Sequence, residues 1–222
     1  MAPPFEPIID ARPDDGPWPE MVWPVDPDVR LTGESVELSL LDLARDTEEL
    51  FEALDHDHVW RHMAGRPSSV GEYVDQLARA LALGRLPWVV RLRQPVRDLP
   101  PGTVVGTSSY LGVSVADARL EVGSTAYAPS VWGSAVNPET KLLLLGHAFE
   151  TLNVGRVQLK TDVRNLRSQD AIARLGARYE GTLRRYQRRA DGSMRDTVMF
   201  SVTAEEWPDV CDRLRKRLAE VC

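Results

Sequence analysis

From Val36 onward, apolar residues recur with two periods that succeed one another along the chain, about two residues for strands and about 3.6 for helices. Glu34 to Leu40 alternates like a short strand, and Asp42 to Leu54 then places Leu43, Leu50, Phe51 and Leu54 at helical spacing. Ser68 or Ser69 can cap a second helix that runs to about Leu83, where Gly84 stops it. Three strands are predicted next, over Trp88–Leu92, Thr103–Val113 and Arg119–Tyr127, the last two rich in β-branched residues. Asn137-Pro138-Glu139 opens a helix with Leu142, Leu145, Phe149 and Leu152 on one face. Leu143 and Leu144 make that helix apolar on most sides, which predicts burial. Val154 to Val163 alternates again, with Val157, Leu159 and Thr161 opposite Gln158, Lys160 and Asp162. Asn165 caps a short helix whose Ile172 and Leu175 face inward, and Gly176 ends it. Residues 178 to 188 and 194 to 203 read as two strands joined through Asp191-Gly192, a strong hairpin signal. A final helix over Glu205–Val221 carries Trp207, Val210, Leu214 and Leu218 at helical spacing.

This order predicts an α/β fold, a mixed sheet flanked by helices. A helix separates the strands at 119–127 and 154–163, so these two should run parallel. Residues 31–222 are expected to form one domain. Residues 1–30 hold eight of the sixteen prolines and little periodicity, and read as an acidic arm that packs by Trp18 and Trp23. At 222 residues and 43% apolar composition the chain can bury a sizeable core, which excludes disorder throughout. Its longest aliphatic run, Leu142 to Leu145, is far short of the roughly 20 residues that cross a bilayer, so no membrane partner is expected. The N-terminus has neither a basic nor a hydrophobic leader region, and the expected location is cytoplasmic. Cys211 and Cys222 make neither a zinc module nor a disulfide framework.

Charge is distributed unevenly. Of the formal net charge of −6, the first thirty residues contribute −5, whereas residues 156 to 195 carry eleven bases against four acids. Such a block either is a solvated face or attracts an anion: nucleic acid, an acidic protein or a phosphorylated coenzyme. Nucleic acid as main partner is disfavoured, since no aromatic platform accompanies the bases. His56, His58 and His62 invite a metal reading that no cysteine or paired carboxylate reinforces, so no metal is expected. His147, inside the apolar helix, reads as a packed or surface histidine.

The most informative loop is Pro129-Ser-Val-Trp-Gly-Ser-Ala-Val-Asn-Pro-Glu-Thr-Lys141. It takes a strand end through small residues into a helix N-terminus, where free amides and the positive end of the helix dipole suit a pyrophosphate. It is neither a Walker loop nor a GxGxxG fingerprint. Three stretches together resemble the GNAT superfamily of N-acetyltransferases, of the RimJ/RimL type. They begin at Trp132-Gly-Ser-Ala-Val-Asn-Pro-Glu, at Arg156-Val-Gln-Leu-Lys-Thr-Asp and at Gly181-Thr-Leu-Arg-Arg. Trp132, Ala135 and Asn137 depart from the general Gln/Arg-x-x-Gly-x-Gly/Ala loop of the superfamily. Val136, Asn137, Glu139 and Lys141 look like a branch that carries Val-Asn-x-Glu-x-Lys.

The resemblance implies a mostly antiparallel, twisted sheet whose parallel central strands splay apart to admit acetyl-CoA. Pantetheine would lie against backbone at Thr125, Ala126 and Tyr127, and the pyrophosphate on amides of Ser134, Ala135, Val136 and Asn137. Asn165 would contact the coenzyme, with Ser168 one turn on. The acceptor would be a primary amine, first of all a protein N-terminus, with an aminoglycoside or polyamine as the second choice; a homodimer is allowed. A non-catalytic CoA-binding module is the other class.

Transfer needs a neutral amine, a polarised carbonyl and a protonated leaving thiol. Glu121 is the candidate base, directly or through water, or else a cross-strand ion pair or a solvent-facing carboxylate. Ile172 stands where many of these enzymes carry a tyrosine acid, which leaves Ser168 as candidate donor to the thiolate, or else as an ordinary capping hydroxyl. Tyr179 and Tyr186 could also donate, although their spacing suggests strand packing. The segment with the three histidines would build part of the acceptor pocket.

Overall fold

A computed structural model describes residues 6–10, 12, 16–63 and 65–221. Met1 to Phe5, Asp14, Asp15 and Cys222 lie outside the described residues. Eight strands form one sheet: β1 (Arg30–Thr32), β2 (Val36–Leu40), β3 (Leu86–Leu92), β4 (Val104–Ser114), β5 (Arg119–Tyr127), β6 (Arg156–Asp162), β7 (Arg178–Arg188) and β8 (Met194–Thr203). Their spatial order is β1-β2-β3-β4-β5-β6-β8-β7. Every neighbouring pair is antiparallel except β5 and β6, which run parallel as the intervening helix requires.

Six helices cover the sheet: α1 (Leu43–Leu54), α2 (Asp57–Trp60), α3 (Val70–Ala82), α4 (Val136–Gly146), α5 (Leu166–Leu175) and α6 (Trp207–Val221). Leu50 and Leu54 of α1 and Tyr73 and Leu77 of α3 pack with Val89, Val104 and Ala126 on one face. Val136, Leu144 and Leu145 of α4 and Trp207, Val210 and Leu214 of α6 join the larger core with Val157, Leu159, Val198 and Phe200. Among the described residues no helix is long and apolar enough to cross a membrane.

Local signals fix most boundaries. Asp42 accepts hydrogen bonds from the Ala44 and Arg45 amides and starts α1, while Ser69 accepts from Glu72 and starts α3. Asn165 accepts from the Ser168 amide to open α5, and Gly176, at φ +101°, closes it in the left-handed conformation. Between β7 and β8, Arg189 and Ser193 are joined by an amide-to-carbonyl bond of 2.8 Å around Gly192.

Four features differ from the sequence reading. β1 and α2 are too short, at three and four residues, to show a period. β6 ends at Asp162 rather than Val163. α4 begins at Val136, one residue before the Asn-Pro-Glu signal, and its fully buried positions are Val136, Thr140, Leu144 and Leu145, whereas Leu142 is half-buried. The face shifted because Glu139 turns inward, where its carboxylate accepts the amides of Glu34, Ser35 and Val36 at 2.7, 2.7 and 2.8 Å. That bond set fastens α4 to the β1–β2 turn, and Gly33 is required there: a Cβ would lie 2.5 Å from the Glu139 side chain.

The N-terminal arm crosses the bottom of the sheet. Trp18 Nε1 donates to the Asn153 carbonyl at 2.9 Å, and the Val22 amide donates to the Leu152 carbonyl at 2.9 Å. Met21 and Val25, rather than the tryptophans, enter the core. Trp18 stays half exposed and Trp23 is partly buried against the core.

Candidate functional site

The parallel joint between β5 and β6 is brief. Arg119, Leu120 and Glu121 pair with Arg156, Val157 and Gln158, and beyond them the strands part. Residues 122–127 of β5 therefore keep β4 as partner on one edge and none on the other among the described residues, while β6 stays paired with β8 along its length. A bulge helps β5 turn away, marked by a register shift between Thr107 and Ser109 opposite Ser124, whose φ is +46°. The result is a fork with open backbone groups on its walls, and a cleft of about 1010 Å³ occupies it.

Glu121 stands at the apex of the fork. It is buried, one carboxylate oxygen lies 2.8 Å from Lys160 Nζ, and the other lies over Gly123, where an added Cβ would come within 2.6 Å. The cross-strand ion pair is therefore formed and a solvent-facing carboxylate is not, since the side chain is buried, and the second oxygen is left beside Gly123.

At the open end, the chain passes through Pro129–Val131 and Gly133, with φ +80°, into α4. The Ser134 amide is used within the turn, donating to the Val131 carbonyl at 3.3 Å, and the Val136 amide donates to Ser134 Oγ at 3.3 Å. Pro138 has no amide hydrogen to give. The amides of Ala135 and Asn137 are then the pair with no protein partner among the described residues, a narrower cradle than four successive amides would make. Gly133 is exposed and a Cβ there would meet nothing within 4 Å, so the approach is open.

Of the ten residues singled out from the sequence, eight line the cleft: Glu121, Thr125, Ala126, Tyr127, Ser134, Asn137, Asn165 and Ser168. Ala135 and Val136 do not; Val136 is fully buried in the core, and what these two can offer is backbone. Ser168 is half-buried, its amide bonded to Asn165 Oδ1 at 3.1 Å. Its hydroxyl has no protein partner among the described residues and faces the same cleft as Ile172.

Two residues that the sequence offered only as parts of the family likeness take up definite positions here. Trp132 donates from Nε1 to the Tyr127 carbonyl at 3.0 Å, and the Arg167 guanidinium lies 3.8 Å above its ring, so one indole ties the end of β5 to the start of α5. Lys141 is the other: buried, it donates to Thr125 Oγ1 at 2.7 Å and Ser108 Oγ at 3.1 Å. Burial pulls its amine down to about 7. From sequence it was marked only as the last position of the Val-Asn-x-Glu-x-Lys likeness, with no role attached.

The far wall of the cleft is formed by His58, His62 and Met63 and by the Leu111–Ser114 end of β4. Burial lowers the His62 imidazole. His147 is instead buried in the core, stacked on Tyr110 with Nδ1 3.2 Å from the phenol oxygen. Tyr186 lines the cleft beneath Lys160, whereas Tyr179 packs edge-on against Phe200. Cys211 is buried beside α6 residues of the core and away from the cleft. Among the described residues no group of three His, Cys, Asp or Glu side chains could hold a metal.

The elements that build this cleft are shared with known proteins. Residues 36–178 match the acetyltransferase (GNAT) domain family. A structure from T. thermophilus, provisionally assigned as an acetyltransferase, is 38% identical, covers 89% of this chain and 100% of its own, and superposes with a TM-score of 0.76. Mycobacterium smegmatis RimJ, solved with CoA-disulfide, is 25% identical over 82% of this chain and 88% of that one, with a TM-score of 0.66. The Bacillus licheniformis N-acetyltransferase p20 is 29% identical over 104 residues, and the match spans 57% of that protein's length. A parallel pair that forks beside a helix N-terminus, within a sequence matched over more than half its length, means that this chain belongs to the GNAT acetyltransferase family.

Proposed function

We propose that the protein transfers an acetyl group from acetyl-CoA to a primary amine by direct attack, and that the acceptor is a protein α-amine. The fork at Glu121, with unpaired β5 backbone along 122–127 and the α4 N-terminus at its mouth, carries this reading. Its size and chemistry fit the coenzyme. The cleft holds about 1010 Å³, and the free Ala135 and Asn137 amides, the Arg167 guanidinium and the buried Lys141 amine all favour a ligand with phosphates. RimJ, with CoA-disulfide bound, supports the same ligand class.

Bound acetyl-CoA supplies an electrophilic thioester carbonyl; the chain's residues do the rest. Unpaired amides of β5 beyond Glu121 can donate to the carbonyl oxygen as charge develops there. Glu121 takes the proton of the incoming ammonium through the oxygen that Lys160 leaves free, directly or by one water. A peptide α-amine with a pKa of about 8 is roughly one-tenth neutral at pH 7, whereas lysine at about 10.4 costs about 3 kcal/mol more to deprotonate. A weak carboxylate base is enough for the first and not for the second. Ser168, from the first turn of α5, can hydrogen-bond the departing thiolate, which takes up the second proton lost by the attacking nitrogen. A covalent route has no support in the cleft, because Cys211 is packed in the core and burial raises its thiol.

The chain end would enter between the α2 segment and the β4–β5 hairpin, both of which line the cleft. A thiol-release assay with acetyl-CoA and an amine panel tests this. Acceptor-dependent release greatest with peptide α-amines supports it, release confined to aminoglycosides or polyamines replaces the acceptor, and CoA binding without release on any amine leaves a binding module.

A further inference from the structure

We propose that Lys141 supplies the diphosphate of CoA with a buried positive charge acquired from solvent as the ligand binds. The inference rests on the reading of the fork as a CoA site. Lys141 sits on α4 four residues after Asn137, on the same side of the helix, and a helical side chain leans back toward the N-terminus. Its Nζ is thereby drawn to Thr125 on β5, the strand along which the coenzyme would lie, and the residue lines the cleft.

No ion pair reaches this amine among the described residues. Its two partners are neutral hydroxyls, Thr125 Oγ1 and Ser108 Oγ, which also bond to each other at 2.8 Å. The titratable groups of the surrounding elements offer nothing better. On α4, the Glu139 carboxylate is consumed by three amides of the β1–β2 turn. On β5, Glu121 is committed to Lys160, and the Tyr127 phenol, like Tyr110 on β4, is pushed far above its ordinary range by burial and stays neutral. His147, just beyond α4, is lowered by burial and is neutral at the same pH. With two neutral hydroxyls as partners, burial pulls the amine down to about 7 and leaves it balanced near neutrality. An anion arriving at the α4 N-terminus tips that balance toward the ammonium. A permanent charge would burden the free protein, whereas an amine that is recharged by its ligand does not.

Calorimetry with dephospho-CoA tests this. That probe keeps the diphosphate and lacks the 3′-phosphomonoester, whose own second ionisation lies near 6. Titrations in buffers of different ionisation heat count the protons. Uptake approaching one proton per ligand is expected at pH 8 and little at pH 6, and affinity should fall by up to tenfold per pH unit above 7. Lys141→Met should bind at least tenfold more weakly at pH 6 and lose the extra proton at pH 8. Binding at pH 8 without proton uptake by the wild-type chain overturns the proposal whatever the variant does. The same uptake in wild type and Lys141→Met also overturns it, by giving the proton to another group such as His62. No binding of dephospho-CoA or CoA at either pH removes the CoA reading itself.

Discussion

Among single residues, the proposed base Glu121 is the one most exposed to test. Replacing it with Gln keeps its shape and removes its basicity, so kcat should fall about tenfold or more while CoA affinity changes little. A matched series of initial rates and CoA titrations measures both; a rate equal to wild type would reduce Glu121 to an ion-pair partner for Lys160. Lys141 makes a second prediction, on the free protein. Its folded value of about 7 lies below the ordinary lysine value, so the unfolded chain binds more protons between about 7 and 10.4. Stability is therefore greatest above that window, declines as pH falls through it, and reaches its lower level below 7. The full span is on the order of 4 kcal/mol. Melting of free wild-type protein across pH 6 to 10 should show this rise, and Lys141→Met should flatten it and match or exceed wild-type stability at pH 6. Neither residue's state could be read from the chain. Glu121 was visible as an acid on a strand that leads to the loop, but its ion pair depends on a neighbouring strand 39 positions away. Lys141 stood out only as a position of the Val-Asn-x-Glu-x-Lys likeness, because periodicity reports apolar spacing and not which turn of a helix meets a hydroxyl.

Elements were legible where local chemistry decides them. The serine cap at 68 or 69, which is Ser69, the cap at Asn165, the stop at Gly176 and the turn at Gly192 were placed by side-chain and φ preferences that act within a few residues. The rotation of α4 was not, because it answers to Glu139 and a turn more than a hundred residues away. That anchor makes an element-scale prediction. Glu139→Ala strands three amide donors, two of them buried, and should cost about 3–5 kcal/mol in urea unfolding. Glu139→Gln keeps an acceptor for some of them and should cost less. A loss under about 1 kcal/mol for Ala would mean that the β1–β2 turn finds other partners. The loop before α4 shows the limit of motif reading from the other side: its small residues were recognised, but the use of the Ser134 and Val136 amides inside the turn follows from three-dimensional geometry.

At the scale of the whole molecule, the mixed sheet and its parallel joint followed from the alternation of strands and one helix, and the splay followed from the family resemblance, whereas the strand order came only with the structure. The arm was read as packing by tryptophans, whereas Met21 and Val25 are the residues that enter the core. Removing residues 1–25 should therefore cost about 3–5 kcal/mol, the burial of two such side chains. Thermal unfolding of the shortened chain checks this, and an unchanged midpoint would mark the arm as dispensable. The fork remains the feature on which function depends. Its most direct test is amide hydrogen–deuterium exchange with and without CoA. Slowed exchange concentrated at residues 122–127 of β5 and at Ala135 and Asn137 is predicted, because these hold the backbone groups left open for the ligand. Protection elsewhere with none at these positions, or no protection anywhere under saturating CoA, would contradict the account.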